Sequence, residues 1–268
     1  MKRLVITDTA PLYATPAYDA ETADEALCGM VVEVLEEKEG FCRVRTHYRY
    51  EGFTPSVCLS AHGVENWILM EKRYATAPFL DIMTQPKVQA SRLGFVPRGG
   101  ILALSGREDQ GWQPVALPDG RCGYVRSTHL AELPRPWHQA KEPDLRELIV
   151  QTALSYLGTQ YRWGGKTPAG IDCSGLASMA YMLCGSLIYR DAALKDGFDL
   201  HEIPIEMINK GDLIFFPGHV VVYIGEGRYV HATGKDGSDG VVVNSFNPKD
   251  PLYREDLAAG VKCVGSLF

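Results

Sequence analysis

Short stretches in which hydrophobic and polar residues alternate dominate the first half of the chain. Two examples are VVEVLEE, which begins at Val31, and ILALSG, which begins at Ile101. Such alternation is typical of β-strands with one buried face, and the Gly, Pro and Asp residues between the stretches mark turns. The pattern predicts small, strongly bent all-β barrels of roughly 60 to 70 residues each.

The barrel pattern occurs twice, with a constant offset of 71 residues. The aligned pairs are Gly29/Gly100, Glu37/Glu108, Gly40/Gly111, Phe41/Trp112, Val44/Val115, Gly52/Gly123, Phe53/Tyr124, Ser56/Ser127 and Leu59/Leu130. Repetition of one unit predicts two domains, over residues 1–62 and 63–133. The strands, glycines and aromatic residues of positions 3–132 resemble bacterial SH3-like domains. That resemblance alone implies a binding or spacing module.

A change of pattern follows the second repeat. Three prolines within ELPRPWHQAKEPD predict a linker over residues 134–143. The stretch DLRELIVQTALSYLG then carries apolar residues at helical spacing, among them Leu145 and Leu148, and Gly158 ends the predicted helix. We expect a third domain over residues 144–268.

One cysteine of this third domain lies where a glycine-rich loop gives way to a helix. In GGKTPAGIDCSGLASMAYMLCG, apolar residues recur at helical spacing from Leu176 to Gly185. Cys173 therefore lies in or just before the first helical turn, and Asp172 is a candidate N-cap. Unpaired backbone N–H groups and the helix dipole favour a thiolate at such a place, so Cys173 is a candidate nucleophile.

Two histidines flank a predicted β-hairpin in FFPGHVVVYIGEGRYVHATG. If the loop is centred on Gly225, His219 lies directly opposite His231, and the two imidazoles are neighbours. One ring then accepts the thiol proton while the other orients it. The alternatives are a partly exposed sheet end or half of a metal site. The other five histidines are expected to be solvated.

Composition narrows the possible partners. The formal charge is −6 without a basic cluster, so we expect no binding to nucleic acid or an anionic membrane. Seven cysteines without a CxxC pair suit neither a disulfide framework nor a zinc site. No nucleotide-binding motif is present, so we expect no cofactor. The N-terminal residues lack a secretory apolar region, which predicts a cytoplasmic location. The oligomeric state is left open.

Residues 143–268 resemble a known family. The combination YRWGG, GIDCSGL and GDLIFFPGHVVVYIGEGRYVHA is similar to the NlpC-type branch of the papain-like cysteine peptidases. The resemblance implies an α+β papain-like domain, with helices packed on an antiparallel sheet, preceded here by the two SH3-like barrels. It also implies Cys173 as the nucleophile, His219 as the general base and His231 as the orienting residue.

With two SH3-like units in front, the chain resembles more narrowly the γ-D-glutamyl-L-diamino acid endopeptidases, which release L-Ala-γ-D-Glu from short murein peptides. The resemblance implies a pocket for the free amine of the substrate. Its residues are Asp172, Ser174, Asp191 and a tyrosine, for which we choose Tyr50 with Tyr48 as the reserve. The chain departs from the family pattern in reading YRDA for PRDA, and GF for GW after the tyrosine.

Several alternatives stay open. Asp172 and Ser174 also suit purely structural roles in the helix turn, and Asp191 suits a solvated turn. Trp163 lies beside the expected cleft, either packing there or lining the substrate site. The chain could instead be an exported endopeptidase or amidase that acts on intact wall, or a non-catalytic wall-binding protein. Whether the diamino acid is lysine or diaminopimelate is not specified by these residues.

Overall fold

The computed structural model describes residues 1–268 as two compact units, Met1–Leu133 and Pro134–Phe268. Strands dominate both units, and helices are few. None of the helices has the length and apolar character needed to span a bilayer.

The first unit begins with a seven-stranded antiparallel sheet. Its strands are β1 (Lys2–Val5), β2 (Thr9–Tyr13), β3 (Thr22–Leu27), β4 (Val31–Lys38), β5 (Phe41–Arg45), β6 (Glu51–Pro55) and β7 (Leu59–Ser60). They are arranged in the order β3-β2-β6-β5-β4-β1-β7. The alternation continues along β5, where Val44 points inward and Arg43 and Arg45 point outward.

A second sheet of the same topology follows the short helix α1 (Val64–Leu69). Its strands are β8 (Lys72–Ala75), β9 (Phe79–Met83), β10 (Arg92–Pro97), β11 (Ile101–Leu104), β12 (Trp112–Ala116), β13 (Cys122–Arg126) and β14 (Leu130–Glu132). The order β10-β9-β13-β12-β11-β8-β14 repeats that of the first sheet strand for strand. The repeat in the sequence is thus a repeat in the structure.

The offset between the two copies changes by one residue along the chain. β5 and β6 match β12 and β13 at the predicted offset of 71, whereas β2 and β3 match β9 and β10 at 70. The predicted pairing of Gly29 with Gly100 is therefore wrong. Gly29 corresponds to Gly99, and both have positive φ, 77° and 85°. The turn between β11 and β12 holds the additional residue.

The two repeats pack against each other within the first unit. Ile101 donates its N–H to the carbonyl oxygen of Cys28 at 2.8 Å, and the Cys28 side chain is buried in the core of the second sheet. The indole of Trp67 donates to the carbonyl oxygen of Gly29 at 3.0 Å. A Cβ on Gly29 would lie 2.3 Å from the carbonyl oxygen of Ile101, so only glycine fits there.

The second unit contains a small hairpin that pairs β15 (Lys166–Thr167) with β16 (Gly170–Ile171). Its main element is a six-stranded antiparallel sheet of β17 (His201–Ile203), β18 (Leu213–Phe216), β19 (His219–Gly225), β20 (Arg228–Lys235), β21 (Ser238–Ser245) and β22 (Cys263–Ser266). These strands are arranged in the order β17-β22-β18-β19-β20-β21. The helices are α2 (Glu142–Leu154), α3 (Cys173–Met182) and α4 (Glu255–Ala258).

Helices α2 and α3 pack on each other and on β19. Every residue of α3 is buried, which fits its nearly continuous apolar sequence. Helix α2 buries Leu145, Ile149 and Ala153, whereas Leu148, which the sequence pattern placed on the buried face, is half exposed. Cys173, the candidate nucleophile, is therefore the first residue of a helix that is buried along its whole length.

Candidate active site

Cys173 is the first residue of α3, as the sequence predicts. The Asp172 side chain caps the helix by accepting the N–H of Gly175 at 2.6 Å. The glycine-rich loop lies close against this turn, because a Cβ on Gly175 would be 2.2 Å from the carbonyl oxygen of Gly165. The missing side chain of Gly175 thus allows the loop and the helix start to meet at the cysteine.

The expectation of a thiolate at the helix start is wrong for this structure. Burial raises the pKa of Cys173 to about 11, and the negative charge of Asp172 also raises it. The backbone N–H groups of Val220 and Ser174 hydrogen-bond to the sulfur and lower the pKa by less. Only 8% of the residue is exposed, so loss of hydration outweighs the effect of the helix start. The thiol is therefore uncharged at neutral pH.

A buried arginine that the sequence analysis missed holds this turn together. Arg190 donates to both carboxylate oxygens of Asp172, at 3.0 and 3.1 Å, and to the Ser174 hydroxyl at 2.8 Å. Asp172 also accepts the N–H of Gly164 at 2.8 Å. Arg190 is 1% exposed, so this is a desolvated, bidentate ion pair. In the sequence, the only indication that Arg190 belongs to the site is its position directly before Asp191.

The two histidines are in direct contact. His219 Nε2 lies 2.7 Å from His231 Nδ1, and their ring centroids are 5.0 Å apart. The predicted register is wrong, however, because β19 pairs Val222 with Val230 and Tyr223 with Tyr229. His231 is thus diagonal to His219 on the same sheet face rather than directly opposite. A diagonal pair is within reach of two imidazoles.

A tight turn causes the difference in register. Gly225 pairs with Arg228, and between them Glu226 and Gly227 both have positive φ, 54° and 72°. This is a two-residue hairpin loop rather than the expected longer loop centred on Gly225. A bulge between Tyr223 and Gly225 shifts the pairing of β19 with β20 by one residue. Because of this shift, His219 and His231 point to the same face of the sheet.

Both imidazoles are uncharged at neutral pH. Burial lowers the pKa of His219 to about 4, and the positive charge of Arg254 lowers it further while Asp256 opposes this. Burial also lowers the pKa of His231 to about 3, although its hydrogen bond with Asn244 acts in the opposite direction. The Cys173 sulfur accepts a hydrogen bond from the N–H of Val220, the residue that follows His219 on β19, so the backbone of β19 brings the predicted base near the thiol.

Two further residues near these groups were not predicted. Asn244 Oδ1 lies 2.8 Å from His231 Nε2. Tyr161, from the YRWGG segment, has a pKa raised to about 12 by burial and then by repulsion from Cys173, which ionises only near pH 11, and from Asp172. Asn244 was missed because it lies on β21, outside the motifs that the sequence analysis used. Tyr161 was missed because no periodic pattern in the sequence indicates that it lies near Cys173.

Comparison with known sequences identifies the family to which this chain belongs. The profile of the NlpC/P60 family matches residues 158–253, and that described as bacterial dipeptidyl-peptidase Sh3 domain matches residues 12–56. Over its full length the chain is 44% identical to Dipeptidyl-peptidase 6 of Lysinibacillus sphaericus, with 100% of both chains covered. The chain belongs to the NlpC/P60 family. It is therefore a cysteine peptidase.

Two more relatives of this NlpC/P60 peptidase cover most of its length. The Gamma-D-glutamyl-L-lysine dipeptidyl-peptidase of Bacillus cereus is 28% identical, over 92% of this chain and 76% of the relative. The crystal structure of an NlpC/P60 family protein from Bacillus cereus ATCC 10987 superposes with a TM-score of 0.79 at 22% identity, covering 98% of both chains. The second likeness shows the fold, a papain-like domain with an N-terminal SH3-like domain.

The residues predicted to hold the substrate amine lie in both units of the NlpC/P60 peptidase. Ser174 donates its hydroxyl to Asp172 at 3.2 Å. Asp191 follows Arg190 and hydrogen-bonds with the Tyr189 hydroxyl, whose pKa is raised by burial and then by this carboxylate. Trp163, in the glycine-rich loop, is 60% exposed. Their roles in substrate binding stay predictions.

The two candidate tyrosines belong to the first unit. Tyr48 is 2% exposed, and its hydroxyl donates to Asp24 at 2.6 Å. Tyr50 ends the turn before β6, where its N–H donates to the Thr46 hydroxyl at 3.0 Å. The choice of Tyr50 over Tyr48 as a substrate residue stays a prediction.

Proposed function

We propose that this peptidase hydrolyses the bond between γ-D-glutamate and the diamino acid of short murein peptides that carry a free N-terminal L-Ala, and so releases L-Ala-γ-D-Glu. The observation that carries the proposal is the full-length match to Dipeptidyl-peptidase 6. The name of the Bacillus cereus relative, which specifies a gamma-D-glutamyl-L-lysine bond, supports the same substrate class. The buried Cys173 beside the histidine pair supplies the chemistry.

In the first step the Cys173 sulfur attacks the γ-carbonyl carbon of D-glutamate. His219 accepts the thiol proton during the attack, because the thiol is uncharged in the free enzyme. The tetrahedral intermediate then breaks the C–N bond, and His219 returns the proton to the leaving amine of the diamino acid. The product of this step is a thioester between L-Ala-γ-D-Glu and Cys173.

In the second step water hydrolyses the thioester. His219 accepts one proton from the water, the hydroxyl attacks the thioester carbon, and the C–S bond breaks. His219 returns that proton to the sulfur, and L-Ala-γ-D-Glu leaves with a free γ-carboxylic acid, which then loses its proton to water. We assign part of the oxyanion stabilisation to the backbone N–H of Cys173, at the positive end of the α3 helix dipole.

We assign recognition of the substrate ammonium to Asp191, and the part of Tyr50 stays the prediction made from the resemblance. Asp172 already accepts five hydrogen bonds, two of them from Arg190, which fill the lone pairs of its carboxylate. We infer that Asp172 and Ser174 act by holding the loop and helix around Cys173. Trp163, on the exposed side of the loop, is proposed to border the cleft.

The test compares free and Nα-acetylated L-Ala-γ-D-Glu-L-Lys. Acetylation removes the positive charge and adds bulk, and loss of one partner of a desolvated ion pair costs roughly 3–5 kcal/mol. We expect kcat/KM to fall at least about a hundredfold, because each 1.4 kcal/mol is about a factor of ten. Asp191→Asn should narrow the difference between the two peptides. Asp196→Asn, the same change at a nearby exposed position, should not.

Two results would contradict the proposal. One is cleavage of both peptides at rates within a few-fold of each other. The other is solubilisation of purified sacculi at a rate comparable to tripeptide hydrolysis. Either result would favour a wall endopeptidase, the alternative left open by the sequence.

A further inference from the structure

A buried chain of hydrogen bonds runs from the active-site histidines to the backbone of a surface loop. His219 Nε2 lies 2.7 Å from His231 Nδ1, and His231 Nε2 lies 2.8 Å from Asn244 Oδ1. The Asn244 Nδ2 group lies 3.0 Å from the carbonyl oxygen of Leu252. His231 is fully buried and Asn244 is 8% exposed, so water does not compete for these bonds.

The orientation of the Asn244 amide follows from its last partner. A backbone carbonyl oxygen can only accept hydrogen bonds, so the NH₂ group of Asn244 faces Leu252 and its oxygen faces His231. The Leu252 carbonyl is itself fixed, because it also accepts the N–H of Ser245 at 2.9 Å. The Leu252 N–H donates to the Asp250 carboxylate at 3.0 Å. The loop therefore dictates which way the amide points.

The direction of every proton in the chain follows from that orientation. The amide oxygen of Asn244 is an acceptor, so His231 carries its proton on Nε2, and its Nδ1 is left as an acceptor. His219 must then donate from Nε2, and its Nδ1 has no proton. We infer that Asn244 is a positioning residue that sets the tautomer of both histidines, so that His219 keeps an unprotonated Nδ1 for the thiol of Cys173. The catalytic consequence rests on the proposed function, whereas the tautomers do not.

An amide at this place differs from a carboxylate in charge. Asn244 orients the two rings without adding a negative charge that would favour imidazolium. The charged and titratable groups that act on the rings from neighbouring elements are Arg254 and Asp256, from α4 and its N-terminal flank, and His219 acts on His231. Tyr229 packs edge-on against His231, with 5.2 Å between ring centroids. Asn244 thus fixes geometry while the pair stays neutral.

The direct test is NMR of the full chain labelled with ¹⁵N at histidine, using two-bond ¹H–¹⁵N correlations that distinguish protonated from unprotonated ring nitrogens. Signals are assigned with His219→Gln and His231→Gln. At pH 7 we expect both rings as the Nε2–H tautomer in the wild-type protein. In Asn244→Ala we expect His231 to show a mixture of tautomers. Nδ1–H in either wild-type ring, or an unchanged His231 pattern in Asn244→Ala, would overturn the inference.

Kinetics provide the second readout. Asn244→Ala should lower kcat at least about tenfold with KM changed by less than about twofold, because a misdirected base loses part of general-base catalysis. Asn244→Asp keeps an acceptor for His231 and should recover part of kcat, with the acid limb of the pH profile at higher pH. Asn247→Ala, an exposed asparagine of the adjoining loop, is the matched control and should be unchanged.

The two failures are distinguishable. If the tripeptide is not a substrate, the proposed function fails while the tautomers of the wild-type rings still test the role of Asn244. If Asn244→Ala and Asn244→Asp lose activity equally and both leave His231 in the Nε2–H tautomer, Asn244 has only a structural role, and the inference is wrong.

Discussion

Arg190 holds both carboxylate oxygens of Asp172, at 3.0 and 3.1 Å, where neither side chain is more than 8% exposed. Arg190→Met leaves the Asp172 charge buried without its partner, so we expect a loss of roughly 3–5 kcal/mol in the free energy of unfolding of the catalytic domain. Arg190→Lys should lose less, because it keeps the charge but not the planar fork. Urea unfolding followed by tryptophan fluorescence measures the difference.

Lys235→Met is the matched control, since Lys235 forms an ion pair with Asp256 in which both side chains are about half exposed. Exposed pairs contribute about 0–1 kcal/mol. Equal losses in Arg190→Met and Lys235→Met would show that the Arg190 pair does not stabilise the site.

The two histidines should respond differently to substitution. His219→Ala removes the proton acceptor and should abolish turnover, whereas His231→Asn leaves a less well oriented base and should retain a measurable fraction of kcat. His138→Ala, at an exposed position of the linker, should have wild-type activity. Steady-state kinetics on the tripeptide measure all three. Equal loss in the two active-site variants would contradict the division of roles between base and orienting residue.

The charge state of Cys173 makes a prediction about alkylation. Thiolate is the reactive form, and burial raises the pKa of Cys173 to about 11, so the thiolate fraction is small at neutral pH and grows as pH rises. In the free enzyme at pH 7, iodoacetamide should modify the exposed Cys122 before Cys173, and the Cys173 rate should increase up to about pH 11. Peptide mapping by mass spectrometry measures both rates. Preferential labelling of Cys173 at pH 6 would instead restore the thiolate that the sequence predicts.

The contact between the two repeats predicts an asymmetric pair of glycine substitutions. Gly29 and Gly40 both have positive φ, so alanine at either costs about 1–2 kcal/mol in backbone strain. At Gly29 the Cβ would also lie 2.3 Å from the Ile101 carbonyl oxygen, whereas at Gly40 it would meet nothing within 4 Å. We expect Gly29→Ala to lose about 1–3 kcal/mol more than Gly40→Ala. Thermal unfolding of the two variants measures this, and equal melting temperatures would contradict the packing of the repeats.

Local patterns predicted much of this fold. Alternation and turn glycines predicted paired β units, and the stretch around Cys173 predicted a helix that starts at the cysteine with Asp172 as its cap, as observed. These features depend on residues close in the chain. The wrong alignment of Gly29 with Gly100 came from one additional residue in a turn, which a constant offset cannot detect.

Features that depend on tertiary packing were not predictable. The thiolate expectation failed because enclosure of Cys173 outweighs the local helix start. The histidine register failed because Glu226 adopts a positive φ that favours glycine or asparagine, so the sequence did not indicate a two-residue turn. Arg190 and Asn244 reach the site only through the folded sheet and loops, and no spacing in the chain marks them.

The central claim is that Cys173 attacks the γ-D-glutamyl carbonyl and forms a thioester. The most direct measurement is mass spectrometry of enzyme mixed with L-Ala-γ-D-Glu-L-Lys and quenched with acid before one turnover is complete. We predict a mass increase equal to an L-Ala-γ-D-Glu acyl group on the peptide that contains Cys173, present in Cys184→Ala and absent in Cys173→Ala. An acyl group on any other residue, or release of lysine by Cys173→Ala at the wild-type rate, would contradict the claim.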